Sequence, residues 1–89
     1  MPQQDVEVVN KLGLHARPSA RLTQIAARHA GNVFISRNGR RVNAKSIMGV
    51  MMLAAARGST VTLETEGEGA DAALAELVEF FASGFGEEV

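Results

Sequence analysis

The hydrophobic period of this chain switches repeatedly between two and about 3.6 within 89 residues. From Thr60 to Glu66 the alternation is strict: Val61, Leu63 and Thr65 point one way, Thr62, Glu64 and Glu66 the other. That is the pattern of a half-buried strand. Leu22, Ile25, Ala26 and His29 instead recur at helical spacing, as do Ala73, Leu74, Leu77, Val78 and Phe81. A chain this short has room for one core, so all these stripes must be buried against one another. An antiparallel-rich sheet with helices on one face does this and leaves the other sheet face to solvent. A single α+β domain spanning residues 1–89 is expected.

The elements follow in order. Val6, Val8 and Val9 predict a first strand. Lys11 to His15 links it to a helix over Arg17–Ala30, and Gly13 can supply a positive φ in that link. Pro18 falls in the first turn, where a missing N–H is harmless, and Gly31 is the expected helix terminator. Asn32–Arg37 reads as a strand, Asn38-Gly39 as a type I′ hairpin turn, and Arg40–Asn43 as the returning strand. Ser46 is a good N-cap for a short apolar helix from Ile47 to about Ala56, which Gly58 can close. Gly49 inside that helix suggests close approach of another backbone. Gly67-Glu68-Gly69 breaks the fourth strand. A last helix, Ala70–Ser83, has Asp71 in its first turn and closes at Gly84. The order is β-α-β-β-α-β-α.

Composition closes several routes. With no cysteine there is no thiolate nucleophile, disulfide, thiolate zinc site or iron–sulfur cluster. The longest apolar stretch, Ile47–Ala56, is far short of the roughly 20 residues needed to cross a bilayer, and the N-terminus lacks a signal-peptide pattern. No membrane insertion and a cytoplasmic location are expected. All nine Lys and Arg lie between Lys11 and Arg57 with no acid among them, whereas eight acids and no base follow Gly58. Such segregation either mixes on the folded surface or leaves a basic face for an anionic substrate or acidic partner.

His15 stands between the Gly13 hinge and the start of the first helix. A helix N-terminus offers free N–H groups and about half a positive charge, which favours anions. Arg17 brings a guanidinium whose fork suits phosphate oxygens. Gly13-Leu14-His15-Ala16-Arg17-Pro18 therefore gathers a nitrogen nucleophile, the N–H groups of Ala16 and Arg17, and a cation around one point. Reversible phosphorylation of the imidazole is chemistry such a point supports. The same spacing is compatible with a His15 that only caps the helix and an Arg17 that is only a surface charge. His29, in the last helical turn, reads as structural, and two histidines without supporting acids make no metal site.

Gly13–Pro18 resembles the active-site motif of HPr, the histidine-containing phosphocarrier family of the bacterial phosphoenolpyruvate-dependent phosphotransferase system. Asn43-Ala44-Lys45-Ser46-Ile47-Met48-Gly49-Val50-Met51 resembles the family's second motif, around its regulatory serine, at the usual interval. The resemblance covers nearly the whole chain. It implies an open-faced β-sandwich, with four antiparallel strands in the order 1-4-2-3 covered on one face by three helices. It implies phosphorylation of His15 on Nδ1 by Enzyme I, transfer to EIIA-type proteins, stabilisation by Arg17, and Ser46 as a target of HPr kinase/phosphorylase. No cofactor is implied, and a monomer is expected. Ser19 stands where many members have Ala; its hydroxyl could donate a hydrogen bond near the site, but no role is assigned to it.

In the second helix, Val50, Leu53 and Ala54 can fill the core. That leaves Met48, with Ile47, Met51 or Met52, for the surface. Together with Ala20 these residues are expected to form a docking patch, since exposed Met suits several partners. Alternatives stay open: a nitrogen-related regulatory branch rather than sugar uptake, or an interaction domain acting through Ser46 and the Met patch without phosphotransfer. An RNA-binding module is disfavoured, because there is no Tyr or Trp and no aromatic RNP pattern or GxxG clamp. No nucleotide-binding loop is visible, so a carrier rather than a stand-alone enzyme is expected.

Overall fold

A computed structural model describes residues 2–86. The elements are β1 (Gln3–Glu7), α1 (Ala16–Ala27), β2 (Val33–Arg37), β3 (Arg40–Asn43), α2 (Ile47–Met52), β4 (Thr60–Thr65) and α3 (Ala70–Ala82). The four strands form one antiparallel sheet in the order β1-β4-β2-β3. Register follows the hydrophobic alternation. Ile35 faces Leu63 on one side and Val42 on the other, and Val6 faces Val61. Because paired residues share a face, these side chains all point to the helical layer.

The core fills that side. Val33, Ile35, Val61 and Leu63 from the sheet meet Leu22 and Ala26 of α1, Val50 of α2, and Leu77 and Phe81 of α3. α3 packs on β1 and β4, α2 on β3, and α1 lies against both other helices. Phe85 folds back beneath α3, with its ring 4.9 Å from Phe81 and 5.3 Å from Phe80. The outer sheet face is polar but organised. Arg41 lies 3.6 Å over the Phe34 ring and pairs with Glu64 at 3.2 Å. Thr62 donates to Asp5 at 2.7 Å.

Several boundaries differ from the sequence expectation. β1 lies earlier than the valines suggested. Val8 is fully buried just past the strand, donating to Ser59 and accepting from Gly58. α1 ends at Ala27, not Ala30, so His29 lies beyond the helix, its Nε2 2.9 Å from the Glu66 carbonyl. Gly31 does not end the helix. A Cβ there would sit 2.0 Å from the Glu66 carbonyl oxygen, so glycine is needed for close approach of two segments. α2 stops at Met52, and Ala54 turns to a φ of 50° and becomes exposed instead of filling the core. The backbone approach expected at Gly49 is absent; Val42 and Ser46 side chains are its nearest neighbours, at ordinary contact distance. Gly84 follows α3 with a φ of 68°, as expected of a helix terminator.

The charge segregation is partly mixed by folding. Arg28 pairs with Glu76 at 2.6 Å and Arg41 with Glu64, each joining the basic half to the acidic half. Arg17 and Arg21 remain exposed on α1. Glu87 and Glu88, counted in the acidic half, lie outside the described residues. None of the helices among the described residues is long and apolar enough to cross a membrane.

Candidate functional site

His15 is the N-cap of α1, half-buried, with extended backbone (φ −85°, ψ −168°). Its carbonyl accepts the Ser19 N–H at 3.0 Å, the first bond of the helix. Helical geometry then leaves the N–H groups of Ala16 and Arg17 without intrahelical acceptors, while Pro18, buried behind them, has no N–H to offer. Ala16 and Arg17 are both exposed. The first turn of α1 thus carries an imidazole at its N-cap, two N–H groups that the helix does not use and an exposed arginine within three consecutive residues.

The loop before His15 is built into the fold. Gly13 has a φ of 70°, and a Cβ there would lie 2.7 Å from the Ala55 carbonyl oxygen, so conformation and space both demand glycine. Leu14, buried, donates its N–H to that same carbonyl at 2.8 Å. The segment after α2 is thereby fastened to the residue preceding His15. A groove between α1 and α3, lined by Ile25, Ala26, Ala73 and Leu77 with His29 and Glu76 at its rim, lies toward the other end of α1.

Ser46 is the N-cap of α2, exposed, with its Oγ accepting the Gly49 N–H at 3.2 Å. Of the patch residues, Met48 is 68% exposed and Met52 60%, with Ile47 and Met51 also at the surface. Val50 and Leu53 are buried, as expected. Ala20 is half-buried on α1, which packs against α2. His15 and the apolar patch therefore occupy neighbouring helices.

A family model described as the PTS HPr component phosphorylation site matches residues 2–83. The chain belongs to the HPr family. It is similar to phosphocarrier protein HPr of Cupriavidus necator, at 59% identity over 87 residues and 98% of each chain. The crystal structure of HPr-C-His from Thermoanaerobacter tengcongensis matches it with a TM-score of 0.95 at 40% identity, covering 100% of both chains. An HPr dimer from the same organism matches with a TM-score of 0.78 at 40% identity, over 98% of this chain and 100% of that one. The sheet order and the helical layer are those of the HPr open-faced sandwich.

Two features around His15 escape sequence reasoning. Leu12 is 72% exposed in the loop before His15, where no periodicity marks an apolar residue as outward-facing. Asn10 and Ser19 are fully buried polar residues beside the site, bonded to the carbonyls of Gly13 and Leu14 only a few residues away.

Proposed function

We propose that this HPr-family chain relays a phosphoryl group from phosphorylated Enzyme I to EIIA-type acceptors through His15. The imidazole nitrogen forms a P–N bond as the donor's P–N bond breaks, and the reverse exchange passes the group on. The N–H groups of Ala16 and Arg17, the helix dipole and the Arg17 guanidinium stabilise the phosphate oxygens. The observation that carries this reading is His15 at the N-cap of α1, beside exposed Ala16 and Arg17, whose N–H groups have no intrahelical acceptor.

Docking is assigned to Ala20, Ile47, Met48, Met51 and Met52, an apolar surface beside the reacting group. Ser46 is proposed as a regulatory phosphorylation site for HPr kinase/phosphorylase. A phosphate there would add about −1.5 to −2 charge next to the docking patch. A cytoplasmic monomer, with His15 and the patch both uncovered, is the proposed acting form; sedimentation velocity checks the monomer.

The test is incubation with phosphoenolpyruvate and Enzyme I, followed by intact mass before and after acid. One phosphate, lost in acid, is expected. His15→Ala should take up none while keeping the wild-type melting temperature. Full labelling of the His15→Ala variant would assign the phosphate to another residue.

A further inference from the structure

Among the described residues, three polar side chains are wholly shielded from solvent: Asn10, Ser19 and Thr65. Burying such groups is costly unless they are hydrogen-bonded, so their partners are informative. Thr65 donates to the Ala70 carbonyl at the start of α3. The other two converge on the residues leading into His15. Asn10 Nδ2 donates to the Gly13 carbonyl at 2.8 Å, and Ser19 Oγ donates to the Leu14 carbonyl at 3.3 Å.

With these two bonds, all six backbone polar groups of Gly13, Leu14 and His15 are satisfied inside the protein. The N–H groups go to Asn10, Ala55 and Gly13 carbonyls, and the His15 carbonyl accepts from Ser19. The Gly13 carbonyl accepts twice, from Asn10 and from His15. Immediately after this fully bonded segment come the N–H groups of Ala16 and Arg17, which the helix leaves without intrahelical acceptors. The boundary between fixed backbone and available donors therefore falls at the reacting residue.

We infer that Asn10, assisted by Ser19, is a positioning residue for His15. The two side chains fix the peptide planes on its N-terminal side, so that the imidazole and the Ala16 and Arg17 N–H groups address one phosphate without rearrangement. Preorganised donors are worth most where charge develops in transfer, and their benefit is lost when the supporting residues loosen. The inference rests on the phosphocarrier reading above. In this chain the Ser19 hydroxyl occupies a place that a methyl would leave without a donor.

The test compares Asn10→Ala and Ser19→Ala with wild type in phosphorylation by phosphorylated Enzyme I, after thermal melts confirm folding. The limiting rate should fall about tenfold for Asn10→Ala and about threefold for Ser19→Ala, the scale of one or part of one hydrogen bond. KM for Enzyme I should not change, because the apolar patch on α2 is untouched. The Ala16 and Arg17 amide resonances should shift in both variants. A merely structural role would lower the melting temperature and leave the limiting rate alone. Wild-type rates in folded variants, or a loss expressed wholly in KM, overturn the inference while leaving the carrier function standing. If Asn10→Ala does not fold, Ser19→Ala decides, since Ala is the best helix former. If wild type itself takes up no phosphate, the carrier reading falls and the inference with it.

Discussion

Two N–H groups are fixed by the start of α1, whereas Arg17 is exposed there on a long side chain; under the proposed relay its guanidinium would follow a phosphate as the group arrives and leaves. A charge-assisted hydrogen bond contributes roughly 1.5–3 kcal/mol. If that is expressed in the transition state, Arg17→Ala should slow transfer to and from His15 about 10- to 100-fold. Arg17→Lys should recover only part, because a point charge replaces a planar fork. Quenched-flow transfer in both directions measures this, and wild-type rates for Arg17→Ala would make Arg17 a bystander. Another residue-scale effect concerns stability alone. Ala54 is exposed with a φ of 50°, a conformation costing an L-residue roughly 1–2 kcal/mol. Glycine would relieve that strain at an entropic cost of roughly 0.5–1 kcal/mol, so Ala54→Gly should stabilise the fold by about 0.5–1 kcal/mol. Thermal denaturation reads the gain. A lowered melting temperature would mean that the Ala54 methyl contributes packing that its exposure does not suggest.

Element by element, legibility depended on whether a local signal marked the end. β3 matches its expected span, Arg40–Asn43, because the Asn38-Gly39 turn fixes where it begins and β2 fixes its register. α1 was expected to run three residues too far, because Gly31 looks like a terminator by identity, whereas its real constraint is the Glu66 carbonyl pressed against it. α2 was overextended because an apolar run carries no stop signal, and the left-handed Ala54 is not a residue that announces a turn. The His15 and Ser46 positions were legible since both are defined by neighbours in sequence. The burial of Asn10 and Ser19 was not, since a polar residue in a loop or a first helical turn carries no mark of burial, even though the carbonyls they meet lie close by in sequence. For α2 itself, Ser46→Asp tests cap and switch together. Asp keeps a side-chain acceptor for the Gly49 N–H, so the stability read by thermal denaturation should stay within about 0.5 kcal/mol of wild type. The added charge beside Met48 and Met51 should slow phosphorylation at His15. Equal rates for wild type, Ser46→Asp and the Ser46-phosphorylated form would remove Ser46 as a switch.

At the scale of the whole molecule, charge is distributed unevenly between the two faces. The net charge is only −1, so the protein as a body neither attracts nor repels strongly. Locally the balance differs. On the outer sheet face Arg41 is neutralised by Glu64 and lies on Phe34, whereas on the helical side Arg17 and Arg21 stay exposed along the helix that begins at His15. A partner carrying acidic groups would be drawn to the helical face and oriented toward the reacting imidazole before the apolar patch makes contact. Steering of this kind acts on encounter and is screened by salt, with a Debye length of about 10 Å at 0.1 M and about 3 Å at 1 M. The second-order rate of phosphorylation by Enzyme I should therefore fall about tenfold or more from 0.05 to 0.5 M salt, within the range known for steered association. The limiting rate at saturating Enzyme I should change little, because the docked pair excludes most of the added ions. Arg21→Gln should lower the rate at low salt and flatten its salt dependence. Arg41→Gln, on the opposite face, should do neither. A salt-independent second-order rate, or equal effects of the two substitutions, would assign the encounter to apolar contact through Met48 and its neighbours and leave the basic residues as ordinary solvated surface.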